Sequence, residues 1–167
     1  MWVRFTLAEA RGIAHYLGVL VLGMAAAMLV PLATALVLGE WEPALDYFVG
    51  STLAAVVGLA LMLADVTAPQ ISHRQSLLIS ALAWLFAALV GAVPLALSGN
   101  YGSYLDAVFD AMSGFTTSGL TVAQDLDHMA YAHNMWRHLT HLIGGQGIIV
   151  AAISLAIALK GGAFSLY

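Results

Sequence analysis

The chain has 167 residues, of which 62% are hydrophobic and only 8% are charged, and its formal net charge is −4. Soluble domains carry about 25% charged residues, so this composition excludes a soluble globular protein and indicates an integral membrane protein. The absence of cysteine excludes disulfide bridges and thiolate metal sites, and the negative net charge argues against a nucleic-acid partner.

Four segments are long and apolar enough to cross a bilayer as helices, which takes about 20 residues. The first follows Arg4 and Arg11, as in a signal peptide, but it far exceeds a signal's hydrophobic core of about 7–15 residues. We therefore predict a retained span, preceded by an interfacial stub at residues 1–12 and followed by a tight turn at residues 40–43. The predicted spans are Ile13–Leu38, Leu45–Ala64, Leu77–Leu97 and Leu139–Leu159.

The placement of charge predicts the orientation of these spans. Four of the five basic residues fall on one side, which the positive-inside rule identifies as cytoplasmic, together with the N-terminus. Seven of the nine acidic residues fall near the opposite face, where they either concentrate cations or are simply tolerated, and both interpretations stay open. The basic residues are Arg4, Arg11, Arg74 and Lys160, and the acidic residues are Glu40, Glu42, Asp46, Asp106, Asp110, Asp125 and Asp127.

A fifth apolar segment, residues 104–115, is too short to cross the membrane. As a helix it would extend about 18 Å into a hydrocarbon core of about 30 Å. Ser103 is positioned to cap this helix, and Asp106 stands where a capping box usually has Glu and also complements the positive helix N-terminus. We expect four residues of this helix to support the turn that follows it, namely Asp106, Asp110, Ser113 and Gly114.

The short helix runs into the polar turn Thr116-Thr117-Ser118-Gly119. Lipid tolerates irregular backbone only where it lines a water-filled cavity or is buried in protein, so we predict a re-entrant pore loop. The helix would end near the bilayer midplane, with its negative end towards a cation, and the turn would climb back as an extended strand of carbonyl oxygens. Gly119 would allow backbone angles that other residues avoid. The alternative is an ordinary outer loop rich in Thr and Ser.

Two motifs carry a family resemblance. Residues 109–120, Phe-Asp-Ala-Met-Ser-Gly-Phe-Thr-Thr-Ser-Gly-Leu, resemble the first pore loop of the Trk/Ktr/HKT superfamily of potassium uptake proteins. Residues 136–150, Trp-Arg-His-Leu-Thr-His-Leu-Ile-Gly-Gly-Gln-Gly-Ile-Ile-Val, resemble the start of the helix that follows that loop. The resemblance is strong over residues 77–167, and the two earlier spans resemble the additional N-terminal helix pair of the bacterial Trk branch.

The resemblance implies an all-α integral membrane fold with a potassium-channel-like repeat. Residues 1–70 would be the N-terminal transmembrane helix pair, and residues 71–167 the first helix–pore loop–helix repeat, with its selectivity-filter segment at 116–120. Family members carry four such repeats around one pore, commonly form dimers and bind a cytosolic nucleotide-binding regulatory subunit. The chain has one repeat and therefore looks like an N-terminal fragment or a truncated gene product. One quarter of a filter would need further repeats or further copies in order to conduct.

The resemblance also implies a function and a site. The expected function is potassium uptake across a bacterial inner membrane by a transporter that is not an enzyme and has no cofactor. Sodium remains a possible second ion. The implied filter positions are Thr116, Thr117, Ser118 and Gly119, with potassium at Thr116 and Thr117.

Residues on the last span have structural interpretations as well as functional ones. Gly144, Gly145 and Gly147 predict either a hinge or, preferably, close packing against the short helix. Arg137 is expected to form a structural ion pair with Asp125, Asp127 or an acid of the short helix.

Two histidines on this span, His138 and His141, have the i, i+3 spacing of zinc ligands, although an interfacial polar role is preferred. Two other function classes remain as alternatives. An intramembrane serine hydrolase would use Ser113 with one of these histidines as nucleophile and base. A non-conducting assembly subunit would pack through its small-residue faces.

Overall fold

The structure, a computed structural model, describes residues 6–64 and 72–164, with the side chains of residues 73, 74 and 151–164 outside the description. Over these ranges the chain is all-helical, as the sequence predicts. The helices are α1 (Leu7–Leu38), α2 (Trp41–Met62), α3 (His73–Leu97), α4 (Tyr104–Phe115) and α5 (Tyr131–Phe164), with a short 3-10 turn at Leu126–His128. Arg4 and most of the loop between α2 and α3 lie outside the described residues, as do the side chains of Arg74 and Lys160.

Three of the described helices are long and apolar enough to cross a membrane, namely α1, α2 and residues 75–97 of α3. The backbone of α5 is helical across the fourth predicted span. The predicted interfacial stub stays a prediction, and its residues 7–12 form the start of α1, which begins at Leu7. A capping box sets this start: the Thr6 amide donates to the Glu9 carboxylate at 2.8 Å, and the Glu9 amide donates to the Thr6 hydroxyl at 3.3 Å.

The turn between α1 and α2 is shorter than the predicted turn at residues 40–43. Gly39 ends α1 in the left-handed conformation, with φ 74°, and α2 begins two residues later at Trp41. Pro43 fits into the first turn of α2, where its missing N–H would have had no helical partner. We call the end of the bundle that carries Gly39 and Glu40 the turn end.

Glycines set the distance between α1 and α2. A Cβ built on Gly18 would lie 2.6 Å from the carbonyl oxygen of Gly58, and one built on Gly58 would lie 2.9 Å from the Leu22 amide. The two helices therefore touch through their backbones, a common arrangement in membrane bundles. The largest fully buried side chains include Met28 of α1, Tyr47 of α2, Phe115 of α4 and Trp136 of α5, so the core lies where these helices meet.

The short helix α4 is held against α3, and its loop returns to the level at which it started. The Tyr104 hydroxyl donates to the carbonyl of Leu89 at 2.5 Å. After α4 the chain runs back without regular structure until the Gln124 amide donates to the Asn100 carbonyl at 2.8 Å, just before α4 begins. The segment from Asn100 to Gln124 is therefore a closed, helix-then-loop excursion, which is the geometry of a re-entrant loop.

Candidate functional site

The start of α4 agrees with the sequence prediction to the residue. Ser103 is the N-cap, and its hydroxyl accepts the Asp106 amide hydrogen at 3.2 Å. The structure supplies this half of the predicted capping box, with Asp106 in the first helical turn, where its charge complements the helix dipole.

The end of α4 is a Schellman cap. The Thr117 amide donates to the Gly114 carbonyl at 2.9 Å, and the Ser118 amide donates to the Ser113 carbonyl at 3.0 Å. This cap requires a left-handed residue, and Thr117 takes that role with φ 58°. A β-branched residue is rare in this region, so the position carries local backbone strain.

The cap corrects one feature of the predicted filter segment. An extended strand from Thr116 is wrong for the first two residues, because Thr116 is helical (φ −83°, ψ 0°) and Thr117 is left-handed. Gly119 is left-handed as well, with φ 73°. The physical reason is that the last carbonyls of α4 take amide partners from the turn before the chain can extend. Irregular backbone follows from Ser118 to Ala123.

Hydroxyl groups bind the turn to the helix end. The Thr116 hydroxyl donates to the Met112 carbonyl at 2.9 Å, and the hydroxyls of Ser113 and Ser118 lie 2.9 Å apart. Ser113 is buried, whereas residues 116–122 are all exposed. The predicted filter positions are therefore exposed, and their Thr116 and Ser118 hydroxyls fasten them to the buried end of α4.

A buried carboxylate joins α4 to α5. Asp110 is 4% exposed, and its Oδ2 accepts hydrogen bonds from the Tyr101 hydroxyl at 2.9 Å and from the Arg137 Nε at 3.0 Å. Of the partners expected for Arg137, the structure selects the acid on the short helix. Burial and the neighbouring Asp110 carboxylate hold the pKa of Tyr101 well above its usual range, so this hydroxyl stays protonated as a donor. The other oxygen, Oδ1, has no hydrogen-bond partner within the described ranges.

Close backbone contacts bring α5 against the base of the turn. A Cβ built on Gly144 would collide with the Phe115 carbonyl, and one built on Gly114 would lie 3.0 Å from the Thr140 Cβ. The other two predicted packing glycines have more room. A Cβ built on Gly145 would lie 3.7 Å from the Thr117 methyl group. The prediction that Gly147 packs against the short helix is wrong, because a Cβ built there would lie 3.7 Å from the Trp84 ring of α3.

The two histidines of α5 differ in their surroundings. His141 is half-buried, its Nδ1 lies 2.7 Å from the Arg137 carbonyl, and its Nε2 lies 3.9 Å from a Cβ built on Gly119. His138 is exposed. No group of three or more metal-ligand side chains occurs in the part of the chain that the structure describes, and zinc gains no support. The Ser113 hydroxyl pairs with that of Ser118, and among the described residues no hydrogen bond joins it to either histidine.

Sequence reasoning missed two partners in this site. Tyr101 precedes α4 and gave no motif, and the position of His141 beside Gly119 depends on how α5 packs. Only the tertiary structure places Tyr101 on Asp110 and His141 beside the turn.

Comparisons with known proteins identify a family and several relatives. The profile of the TrkH family, described as cation transport protein, matches residues 48–167. An uncharacterised cation transporter of Methanocaldococcus jannaschii is 34% identical over 159 residues, which is 95% of this chain and 33% of that protein. The potassium uptake protein TrkH of Halomonas elongata is 32% identical over 94% of this chain and 33% of its own length.

A solved structure also matches. The crystal structure of the potassium transporter TrkH from Vibrio parahaemolyticus aligns with a TM-score of 0.79 and 27% identity, over 87% of this chain and 31% of that chain. The chain thus spans about a third of the length of the relatives it matches. Its fold is that of a multi-pass membrane protein, and the match to transporters removes the hydrolase alternative. The chain belongs to the TrkH family of cation transport proteins.

Proposed function

We propose that this chain contributes one repeat of a potassium uptake pore, with residues 116–119 as its share of the selectivity filter. The observation that carries the proposal is the exposed glycine turn at the end of the half-length helix α4. An irregular, polar backbone at this depth needs a water-filled axis or a protein partner, and a pore provides both.

The local field favours a cation. The C-terminal end of α4 carries a partial negative charge and lies directly below the turn. The positive charge of Arg137 is neutralised by its ion pair with Asp110, at 3.0 Å. Carbonyl oxygens from such a turn can replace the hydration shell of a potassium ion, and sodium would compete through the same oxygens.

One such turn surrounds only part of an ion. The exposed face of residues 116–122 is therefore the face that we expect to meet further pore repeats across a central axis. A dimeric assembly, a cytosolic nucleotide-binding regulatory subunit and a cytoplasmic N-terminus in a bacterial inner membrane belong to the same proposal.

The test is Gly119→Ala in the complete transporter, measured as uptake of potassium in cells that lack their own uptake systems. The matched control is Gly99→Ala, because Gly99 has the same φ of 73° and an added Cβ meets nothing within 4 Å. Both changes impose the same backbone strain, but only Gly119 lies in the filter segment. We expect Gly119→Ala to abolish uptake or potassium-over-sodium discrimination at unchanged abundance, and the control to retain both.

Normal uptake and selectivity in Gly119→Ala would remove the filter assignment. A purified complete protein that carries no ion flux in liposomes would instead indicate the non-conducting assembly subunit.

A further inference from the structure

The turn between α1 and α2 supplies the cap for α5. The Glu40 carboxylate accepts the Tyr131 amide hydrogen at 2.8 Å through Oε1 and the Ala132 amide hydrogen at 3.0 Å through Oε2. These partners lie 91 and 92 residues away along the chain. The first amides of a helix have no partner within the helix, and a carboxylate there also complements the helix dipole.

A second set of contacts, next to this cap, joins α2 to α5. The buried Tyr47 hydroxyl lies 3.1 Å from Nδ1 of His133, and His133 Nε2 lies 3.5 Å from an Asp46 oxygen. The Tyr47 ring also contacts the ring of Trp136, with centroids 6.2 Å apart. Since the Trp136 indole donates to the Gly91 carbonyl at 2.9 Å, the junction extends to α3. We call Glu40, Tyr47 and His133 the turn clamp.

Further along α5 lie the residues that contact α4 just before the predicted filter segment, residues 116–119. Arg137 reaches Asp110, and Gly144 contacts the Phe115 carbonyl. The helix between Tyr131 and Gly144 is continuous, so the position of its first turn along the axis determines the position of both contacts.

We propose that Glu40 is a positioning residue for the filter: the turn clamp fixes the height of α5 against α4, and through it the geometry of residues 116–119. This inference rests on the proposed function. The α1–α2 pair would then contribute to transport. Its connecting turn would fix the position of α5, and with it the position of the pore repeat.

The first experiment is a double-mutant cycle that does not depend on transport. Tyr131→Pro removes one of the two donor amides at the first helical position, where proline is well tolerated. Glu40→Ala removes the acceptor. In the complete transporter we expect Glu40→Ala to lower the midpoint of thermal unfolding, and the decrease to shrink to about half in the Tyr131→Pro background, since one of two bonds is already absent. Equal decreases in both backgrounds would overturn the clamp.

The second experiment separates positioning from simple stabilisation. Glu42→Ala is the matched control, because Glu42 borders the same cleft as Glu40 but makes no hydrogen bond to α5 among the described residues. We expect Glu40→Ala to raise the half-saturating potassium concentration severalfold at unchanged membrane abundance, with Glu40→Gln partly restoring it, because an amide oxygen can still accept. The Glu42→Ala protein should match the parent.

The outcomes are distinct. The cycle could show coupling while Glu40→Ala leaves both the half-saturating potassium concentration and the ion selectivity unchanged. That result would overturn the positioning role and show that Glu40 only stabilises the fold. A parent protein that takes up no potassium would contradict the proposed function, while the cycle would still decide whether the clamp exists.

Discussion

Neutralising Asp110 is the perturbation whose consequences the structure defines best. Its Oδ2 receives both the Tyr101 hydroxyl and the Arg137 guanidinium, and its side chain is 3% exposed. Asp110→Ala would leave both donors without this acceptor, whereas Asp110→Asn would keep a carbonyl oxygen at the same place. The amide nitrogen of Asn would occupy the Oδ1 position, which has no described hydrogen-bond partner to lose.

The magnitudes follow from burial. Breaking a buried ion pair by removing one partner costs about 3–5 kcal/mol. Because the Arg137 side chain is 18% exposed and can recover some hydration, we expect the lower end, about 3 kcal/mol, for Asp110→Ala. A hydrogen bond to a charged group contributes roughly 1 kcal/mol more stability than a neutral one. Asp110→Asn makes two such bonds neutral, so it should lower the free energy of unfolding by about 2 kcal/mol in total.

The assay is equilibrium chemical unfolding of the complete transporter in detergent, combined with potassium uptake in cells. The double variant Asp110→Asn with Arg137→Gln replaces the ion pair by a neutral pair. It should recover part of the stability that Asp110→Asn loses. Uptake should fall further in both Asp110→Ala and Asp110→Asn than their lost stability explains, because each leaves the Arg137 charge uncompensated where α4 meets α5.

A cost below about 1 kcal/mol for Asp110→Ala would refute this reasoning, since that is the value of an ordinary surface ion pair. Purely additive effects of the two substitutions in the double variant would also refute it.

Three further predictions concern the turn and its flank. Gly144→Ala should destabilise the protein by about 1–3 kcal/mol by overpacking against the Phe115 carbonyl, measured by chemical unfolding. Thr117→Gly should raise stability by up to about 1 kcal/mol, because it relieves the left-handed strain at φ 58°, while it lowers ion selectivity by removing the side chain from the filter segment. The hydrogen bond that His128 donates to the Asp125 carboxylate raises the pKa of this exposed histidine, so the pairing is complete below the ordinary His pKa and is lost as pH rises through the raised one. Asp125→Asn should therefore lower the His128 pKa in an NMR titration.

Each of these has a contrasting control or outcome. Gly145→Ala should be milder than Gly144→Ala, because an added Cβ there meets only the Thr117 methyl group, at 3.7 Å. A stability loss in Thr117→Gly would show that the left-handed conformation is not strained. A His128 pKa that stays unchanged in Asp125→Asn would contradict the pairing at 2.8 Å.

Local signals in the sequence were enough to predict α4. Ser103, the apolar run and the glycine turn act within a few residues, and the predicted helix has the observed bounds, Tyr104–Phe115. The N-terminal bounds of the spans were less accurate, because hydropathy identifies the apolar stretch and not the cap. Thr6 with Glu9, and Ser72 with Gln75, start their helices before the apolar stretch begins.

The contacts that connect the site depend on tertiary packing and could not be predicted individually. The pairing of Asp110 with Arg137 was one of several possibilities along the chain, and the bond from Glu40 to α5 spans 91 residues. The left-handed Thr117 was missed because glycine is the usual residue at such a position and the sequence has threonine there.

The most direct measurement of the central claim is ion density in a structure of the complete transporter prepared in rubidium or thallium. Our account predicts anomalous density on a central axis, next to main-chain oxygens of residues 116–119. A turn that faces acyl chains, or an axis without ion density at these residues, would contradict it.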